Sequence, residues 1–316
     1  MTKHHRNRSW APAPEPLESP TIDNHTHVAS VVPFAAEMNR QALEREQPAV
    51  PVRSVDEILK QASEVGIEGI LDVGCEYPNL QRAVDMAKEH PGVVHAGLAI
   101  HPNEAVLHGH RGAMGPDGLD ITYQPWHDIP FDEALAEVER LARENPSQVV
   151  AIGETGMDLF RTGEQAQEVQ RQAFRAHIRL AKELGLPMQI HDRDAHEPVI
   201  ATLLADGSPE GTVFHSFSGG PQMAQLANEQ GWYLSFSGTV SYKGNEDIRE
   251  ALRIVDKSHI MVETDAPYLS PMPYRGRTNA PYMIPYTLQA MANVLDMSVQ
   301  EVSALTRKNT AAVYGI

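Results

Sequence analysis

Short apolar runs alternate along this chain with longer stretches of helical period. The runs are TIDNHTH (21–27), IEGILDVG (67–74), VVHAGLAIH (93–101), VVAIGE (149–154), LPMQIH (186–191), TVFHSF (212–217), WYLSFSG (232–238) and HIMVETD (259–265). A parallel strand buried on both faces reads as such a continuous run. The stretches between them carry helix punctuation. SVDEILKQASEVG opens on a Ser54…Glu57 capping box, and Gly66 is placed to end it. PNLQRAVDMAKEH has Pro78 in its first turn. FDEALAEVERLAREN is amphipathic, and EQAQEVQRQAFRAHIRLAKELG spaces Phe174, Ile178, Ala181 and Leu184 along one helical face. Helices follow around HEPVIATLLADG, PQMAQLANEQG and NEDIREALRIV, and Ser298…Glu301 is a second capping box.

About eight strand–helix units in one chain predict a single-domain (β/α)8 TIM barrel over residues 21–316. The rival is a doubly wound open sheet. It would carry a G-x-G-x-x-G turn after its first strand, which this sequence lacks. Two segments break the repeat, 28–53 and 103–130. Both follow strands, are rich in Pro, Gly and His, and have weak periodicity, so they are expected as rim loops forming lids or substrate walls. Residues 1–20 are basic and then Pro-rich, without the apolar core of a secretory signal. They read as a disordered tail, with His4 and His5 as tail residues rather than ligands.

The polar ends of the runs carry the chemistry. His25 and His27 sit two apart, so on a strand they share a face. Glu154, His191, His215 and Asp265 each close a later run. Side chains at the C-terminal ends of barrel strands converge on one mouth. The set mixes imidazole and carboxylate with no thiolate, which suits Zn, Mn, Fe or Mg. Six ligands exceed what one catalytic ion with an open position needs. Two divalent ions bridged by Glu154 fit better. Asp265 is a ligand or, beyond that, the group that takes a proton from water. Asp23 and Glu263 read as supports of the ligands. His101, Arg193, Arg275 and Arg277 follow strand ends and are candidates for holding phosphate oxygens. Cys75 reads as a small packing residue.

Composition narrows the picture a little further. The chain has 316 residues, 41% hydrophobic, and a net charge of −16, which argues against a protein that coats nucleic acid but leaves room for a nuclease with a local basic face. A lone cysteine excludes an internal disulfide and suits a reducing, cytoplasmic setting. No apolar stretch approaches the roughly 18 residues of a membrane helix. No protein partner is evident, and a monomer is the default expectation.

At these same residues the sequence resembles the TatD family of metal-dependent deoxyribonucleases. DNHTH is similar to the family's D-x-H-x-H start, and GETGMDLF to its G-E-x-G-L-D motif. LAKELGLPMQIHDRDA resembles the helix and strand that deliver the next histidine. VFHSFSGG, VETDAPYLSP and PYRGRTNAPYMIP resemble the motifs H-x-F-S-G, E-T-D-x-P-x-L and R-G-x-x-N-x-P. The resemblance implies a (β/α)8 barrel that hydrolyses phosphodiester bonds in DNA, acting on single strands or strand ends. It places divalent metal on His25, His27, Glu154, His191, His215 and Asp265, with Asp265 and Glu154 central to the chemistry. One motif departs from the pattern. Where the family has G-x-H-P-H, this chain reads AIHPNE, keeping His101 and placing Asn103 at the second histidine. The competing reading is an amidohydrolase or lactonase acting on a small molecule. Many such barrels bridge their metals with a carboxylated lysine on strand four, where this chain has Glu154. A third reading, a binding protein on a decayed barrel, fits poorly with a retained cluster of imidazoles and carboxylates, which costs stability unless compensated.

Overall fold

The computed structural model describes residues 9–44 and 49–316. Eight parallel strands form one sheet in strictly sequential order: β1 (Thr21–Thr26), β2 (Ile67–Gly74), β3 (Val94–Leu98), β4 (Val149–Asp158), β5 (Met188–Arg193), β6 (Thr212–Phe214), β7 (Tyr233–Phe236) and β8 (Ile260–Val262). The helices between and after them are α1 (Val28–Leu43), α2 (Val55–Glu64), α3 (Tyr77–Glu89), α4 (Pro102–Leu107), α5 (Phe131–Glu144), α6 (Glu164–Leu184), α7 (His196–Asp206), α8 (Pro221–Gln230), α9 (Glu246–Ile254), α10 (Ile284–Leu295) and α11 (Val299–Tyr314). Each strand pairs in parallel with the next, for example Leu71 with His95 and Ser235 with Met261. The sheet curls until its ends meet. Past the end of β8, Asp265 N donates to His25 O at 2.9 Å and His27 N donates to Ala266 O at 2.8 Å. The buried Asp23 carboxylate reinforces this seam, accepting from Thr264 N at 2.9 Å and from Thr264 Oγ1 at 2.5 Å. The TIM-barrel expectation holds.

Two apolar layers follow from strands buried on both faces. The outer one packs helices on the sheet through Leu80, Leu98, Phe174, Ile178, Phe214 and Trp232. The inner one joins Leu71, Ala151, Val213 and Met261 with Tyr314 at the end of α11. Because alternate residues share a face, the inner-layer Val213 puts His215 above it on the barrel interior, and Met261 does the same for Glu263.

Two expectations change and one holds. Residues 28–53 are not one loop, since Val28–Leu43 is the helix α1. Pro33 within it, and a first half apolar on most sides, mask the helical period. Residues 103–130 hold the short α4 and a single 3-10 turn at Pro125–Asp128, and are otherwise irregular, as expected. The amino-terminal segment is not a free tail from Ser9 onward. Ala11 is buried, Tyr282 OH donates to Ala11 O at 2.8 Å, and Trp10 Nε1 donates to Pro51 O at 2.8 Å. His4 and His5 lie outside the described residues.

Candidate metal centre

The C-terminal mouth of the barrel brings His25, His27, Glu154, His191, His215 and Asp265 together. Glu154 is the hub. It lies inside β4, which runs on to Asp158, rather than at the strand end that the apolar run suggests. Its Oε1 stands 3.2 Å from His27 Nε2 and 3.8 Å from His25 Nε2. Its Oε2 stands 2.8 Å from His215 Nε2, 3.0 Å from His191 Nδ1 and 3.8 Å from His101 Nε2. Asp265 Oδ1 completes the first side, 3.6 Å from His27 Nε2. Asp265 holds a left-handed backbone with φ of 52°, a conformation uncommon for a non-glycine residue and concentrated at functional sites.

Each imidazole is aimed from behind. Gln189 Oε1 accepts from His25 Nδ1 at 2.8 Å, and Val73 O accepts from His27 Nδ1 at 2.9 Å. Both rings therefore turn Nε2 toward the mouth. Asp158 Oδ2 takes His191 Nε2 at 3.2 Å, which leaves Nδ1 facing Glu154. Glu263, fully buried, stands 3.4 Å from His215 Nδ1 and accepts from Ser216 N at 2.7 Å. Such outer partners fix the tautomer and orientation of metal-binding histidines. Asp23 instead serves the seam of the barrel.

Electrostatics reflect this crowding. Burial opposes the charge on Glu154, but the imidazoles of His215 and His101, with hydrogen bonds from His191 and His215, hold its carboxyl well below the usual range. Burial, with the neighbouring His215, pushes the His25 imidazole well below its ordinary value. Burial also raises the Asp265 carboxyl to about 7, against the pull of His215 and His27.

The arrangement fits cations. Ligand atoms of His25, Glu154 and His215 lie within 4.8 Å of one another, as do those of His25, His27 and Asp265, and those of His101, Glu154 and His191. His25 Nε2 is buried without a hydrogen-bond partner. An orphaned buried acceptor of this kind calls for an occupant.

The remaining expected residues divide. His101 lines the mouth cavity of about 510 Å3, caps α4 by accepting from Asn103 N, and lies 3.4 Å from His191 Nδ1. Arg193 and Arg275 are exposed at the rim, their guanidinium carbons 4.3 Å and 4.4 Å from the ring centres of Phe160 and Tyr242. Arg277 turns elsewhere, with Nη1 3.2 Å from both Ser9 Oγ and Trp10 O. It braces the amino-terminal segment, a role hidden as long as that segment reads as a tail.

Cys75, expected as packing, is half-buried, lines the cavity, and sets Sγ 3.7 Å from Glu154 Oε1. Asp158 and Gln189 escape a reading of strand ends. Both carry a visible signal: a polar residue inside an apolar run, at the end of GETGMD and two before His191. Asn103, the departure from the family motif, donates to Asp158 Oδ2 at 2.9 Å and so supports His191 through one intermediary.

An eight-stranded parallel barrel with a mouth of histidines gathered round one carboxylate is the build of a metal-dependent hydrolase. Comparison with known proteins agrees. A family described as TatD related DNase matches residues 22–315, and the chain belongs to the TatD family of metal-dependent hydrolases. It is 34% identical over 299 residues, 93% of this chain and 98% of the relative, to an uncharacterized metal-dependent hydrolase TatD of Mycobacterium tuberculosis. It is 31% identical over 268 residues, 83% of this chain and 93% of the relative, to a 3'-5' ssDNA/RNA exonuclease TatD of Erwinia amylovora. Among solved structures, a TatD homologue from Escherichia coli, YJJV, superposes with a TM-score of 0.74 at 22% identity, covering 94% of this chain and 98% of its own. Among the described residues no helix is long and apolar enough to cross a membrane.

Proposed function

We propose that this chain hydrolyses phosphodiester bonds of DNA, taking single strands or strand ends, with two divalent ions held by His25, His27, Glu154, His191, His215 and Asp265. Mg, Mn and Zn all suit this donor set. The observation that carries the reading is the division of labour on Glu154. Its Oε1 faces His27 and His25, and its Oε2 faces His215 and His191. One carboxylate shared between two groups of histidines is the arrangement a pair of ions needs. When bound, the ions polarise a phosphoryl oxygen and make water more acidic.

The chain's own residues supply the rest. Asp265, at the edge of the cluster, accepts the proton of the attacking water at Oδ1. His101 faces the cavity beside Glu154 and is placed to contact a non-bridging phosphate oxygen. Arg193 and Arg275, each laid on an aromatic ring, give the rim of an acidic protein a local positive character suited to a strand backbone. The name of the Erwinia amylovora relative supports a nucleic-acid substrate.

An amidohydrolase or lactonase remains the competing class. Glu154 takes the place where many such enzymes carry a bridging carboxylated lysine, and no lysine is among the residues that line the mouth cavity, which favours the nuclease. The deciding test incubates metal-loaded protein with single-stranded DNA labelled at either end, with RNA of the same sequence, and with a panel of esters and lactones. Release of labelled nucleotides supports the proposal, and turnover of the small molecules alone overturns it.

A further inference from the structure

Tyr268 belongs to no part of the metal cluster, yet it lines the same cavity as His27, His101 and Glu154. It sits three residues after Asp265, and its N donates to Asp265 O at 2.9 Å, so its backbone is fixed to that residue. The residue is 52% exposed. Phe34 of α1 braces it edge to face, with centroids 5.6 Å apart and planes at 78°. An edge-to-face contact covers at most one face of Tyr268. The helix that carries Phe34 starts directly after His27, and Val28 N donates to Asp72 Oδ1 at 2.7 Å, which anchors that start. Both rings are thus tied by short lengths of chain to residues of the metal cluster, one to each side of the barrel seam.

A braced, half-open ring beside a phosphodiester-cleaving centre has a natural ligand, the flat face of a nucleobase. Stacking needs no hydrogen-bond readout and accepts any base. Resting on the phosphodiesterase reading above, we propose that Tyr268, held by Phe34, is the stacking platform for the base of the nucleotide whose phosphate lies at the metal centre. A strand end or a single strand offers such an unpaired base, and a duplex interior does not. Tyr268 is therefore the residue that makes this centre prefer unpaired nucleotides.

The test compares ligands that differ only in the base. Calorimetric titration of the Mn2+-loaded protein with dAMP and with 2-deoxyribose 5-phosphate is carried out on the wild type and on Tyr268→Ala, Tyr268→Phe and Phe34→Ala. The wild type is expected to bind dAMP about five- to a hundredfold more tightly than the base-free sugar phosphate. Tyr268→Ala should abolish that ratio, Tyr268→Phe should keep it and Phe34→Ala should reduce it, with metal content and melting temperature as controls for folding. Equal affinity of the wild type for the two ligands, binding of neither, or an unchanged ratio in Tyr268→Ala overturns the platform. Cleavage of labelled DNA is scored separately. Base-dependent binding without DNA cleavage removes the nuclease reading and leaves the platform standing as a nucleotide site. Equal cleavage of normal and abasic strand ends does the reverse.

Discussion

Gln189 holds His25 from inside the barrel. Its amide oxygen accepts from His25 Nδ1 at 2.8 Å, while its amide nitrogen donates to Asn24 O at 2.7 Å and to Tyr314 OH at 2.9 Å. All of its polar atoms are engaged and none meets solvent. Gln189→Leu keeps much of the volume and removes every one of these bonds. The expected result is a loss of about 1–3 kcal/mol in denaturant unfolding and metal affinity weakened roughly 10–100-fold, read by titration of the metal-free protein with Zn2+. Unchanged affinity would show that His25 needs no support.

Glu154→Gln preserves shape but halves the donors of the shared carboxylate. Metal content is expected to fall from two ions toward one or none, with hydrolysis reduced at least about 100-fold. Elemental analysis beside activity measurement separates this from a folding defect. Full metal content in the variant contradicts the bridging role.

His177, behind the chain segments that carry His101 and Glu154, provides a pH handle. It is fully buried, with Nε2 accepting from Ile100 N at 3.0 Å and Nδ1 donating to Ala173 O at 2.8 Å. Burial pushes its imidazole down to about 4, only partly offset by the bond to Ala173. The neutral ring is therefore the folded form. The unfolded chain takes up a proton near 6.5 that the folded chain refuses until about 4. This contribution to stability is intact above 6.5 and declines as pH falls toward 4, by about 1.4 kcal/mol per pH unit and roughly 3 kcal/mol in total. Urea midpoints of the wild type and His177→Gln across this window check the slope, which should be shallower in the variant by that one-proton amount.

Gly156 in β4 has φ of 146°, and a Cβ added there would lie 2.1 Å from His191 O. Gly156→Ala must push β5 away or change its own backbone. Destabilisation on the order of 3 kcal/mol is expected, with activity lost because His191 moves with its strand. Thermal melting and turnover at a permissive temperature report the two effects separately.

The eight strands and the ligand-bearing ends were legible because burial on both faces leaves each strand as a bare apolar run, so any polar residue stands out. Glu154 stood out for that reason, although its strand continues through the polar-looking Thr155 to Asp158. Helix α1 was harder to read, because Pro33 and a thick apolar face erase the period that normally marks a surface helix. The packing of Trp10 and Ala11 was not legible at all. A short Pro-rich segment has no periodicity, and its partners, Pro51, Arg277 and Tyr282, lie far along the chain. The partners behind the ligands, Gln189 and Asp158, were visible only as exceptions to an apolar pattern, since the hydrogen bond that gives each its meaning is a tertiary one.

The seam between β1 and β8 sets how this barrel breathes. The joint rests on a few bonds around Asp23, Thr264 and Ala266, whereas β2 and β3, for example, share a continuous ladder. Amide hydrogens at His27 and Asp265 should accordingly trade with deuterium sooner than those in the middle of β2, β3 or β4. Since His27 and Asp265 stand on opposite lips of that joint, a ligand gripping both acts as a clasp, and its presence should be readable as slower exchange along this one line of the molecule.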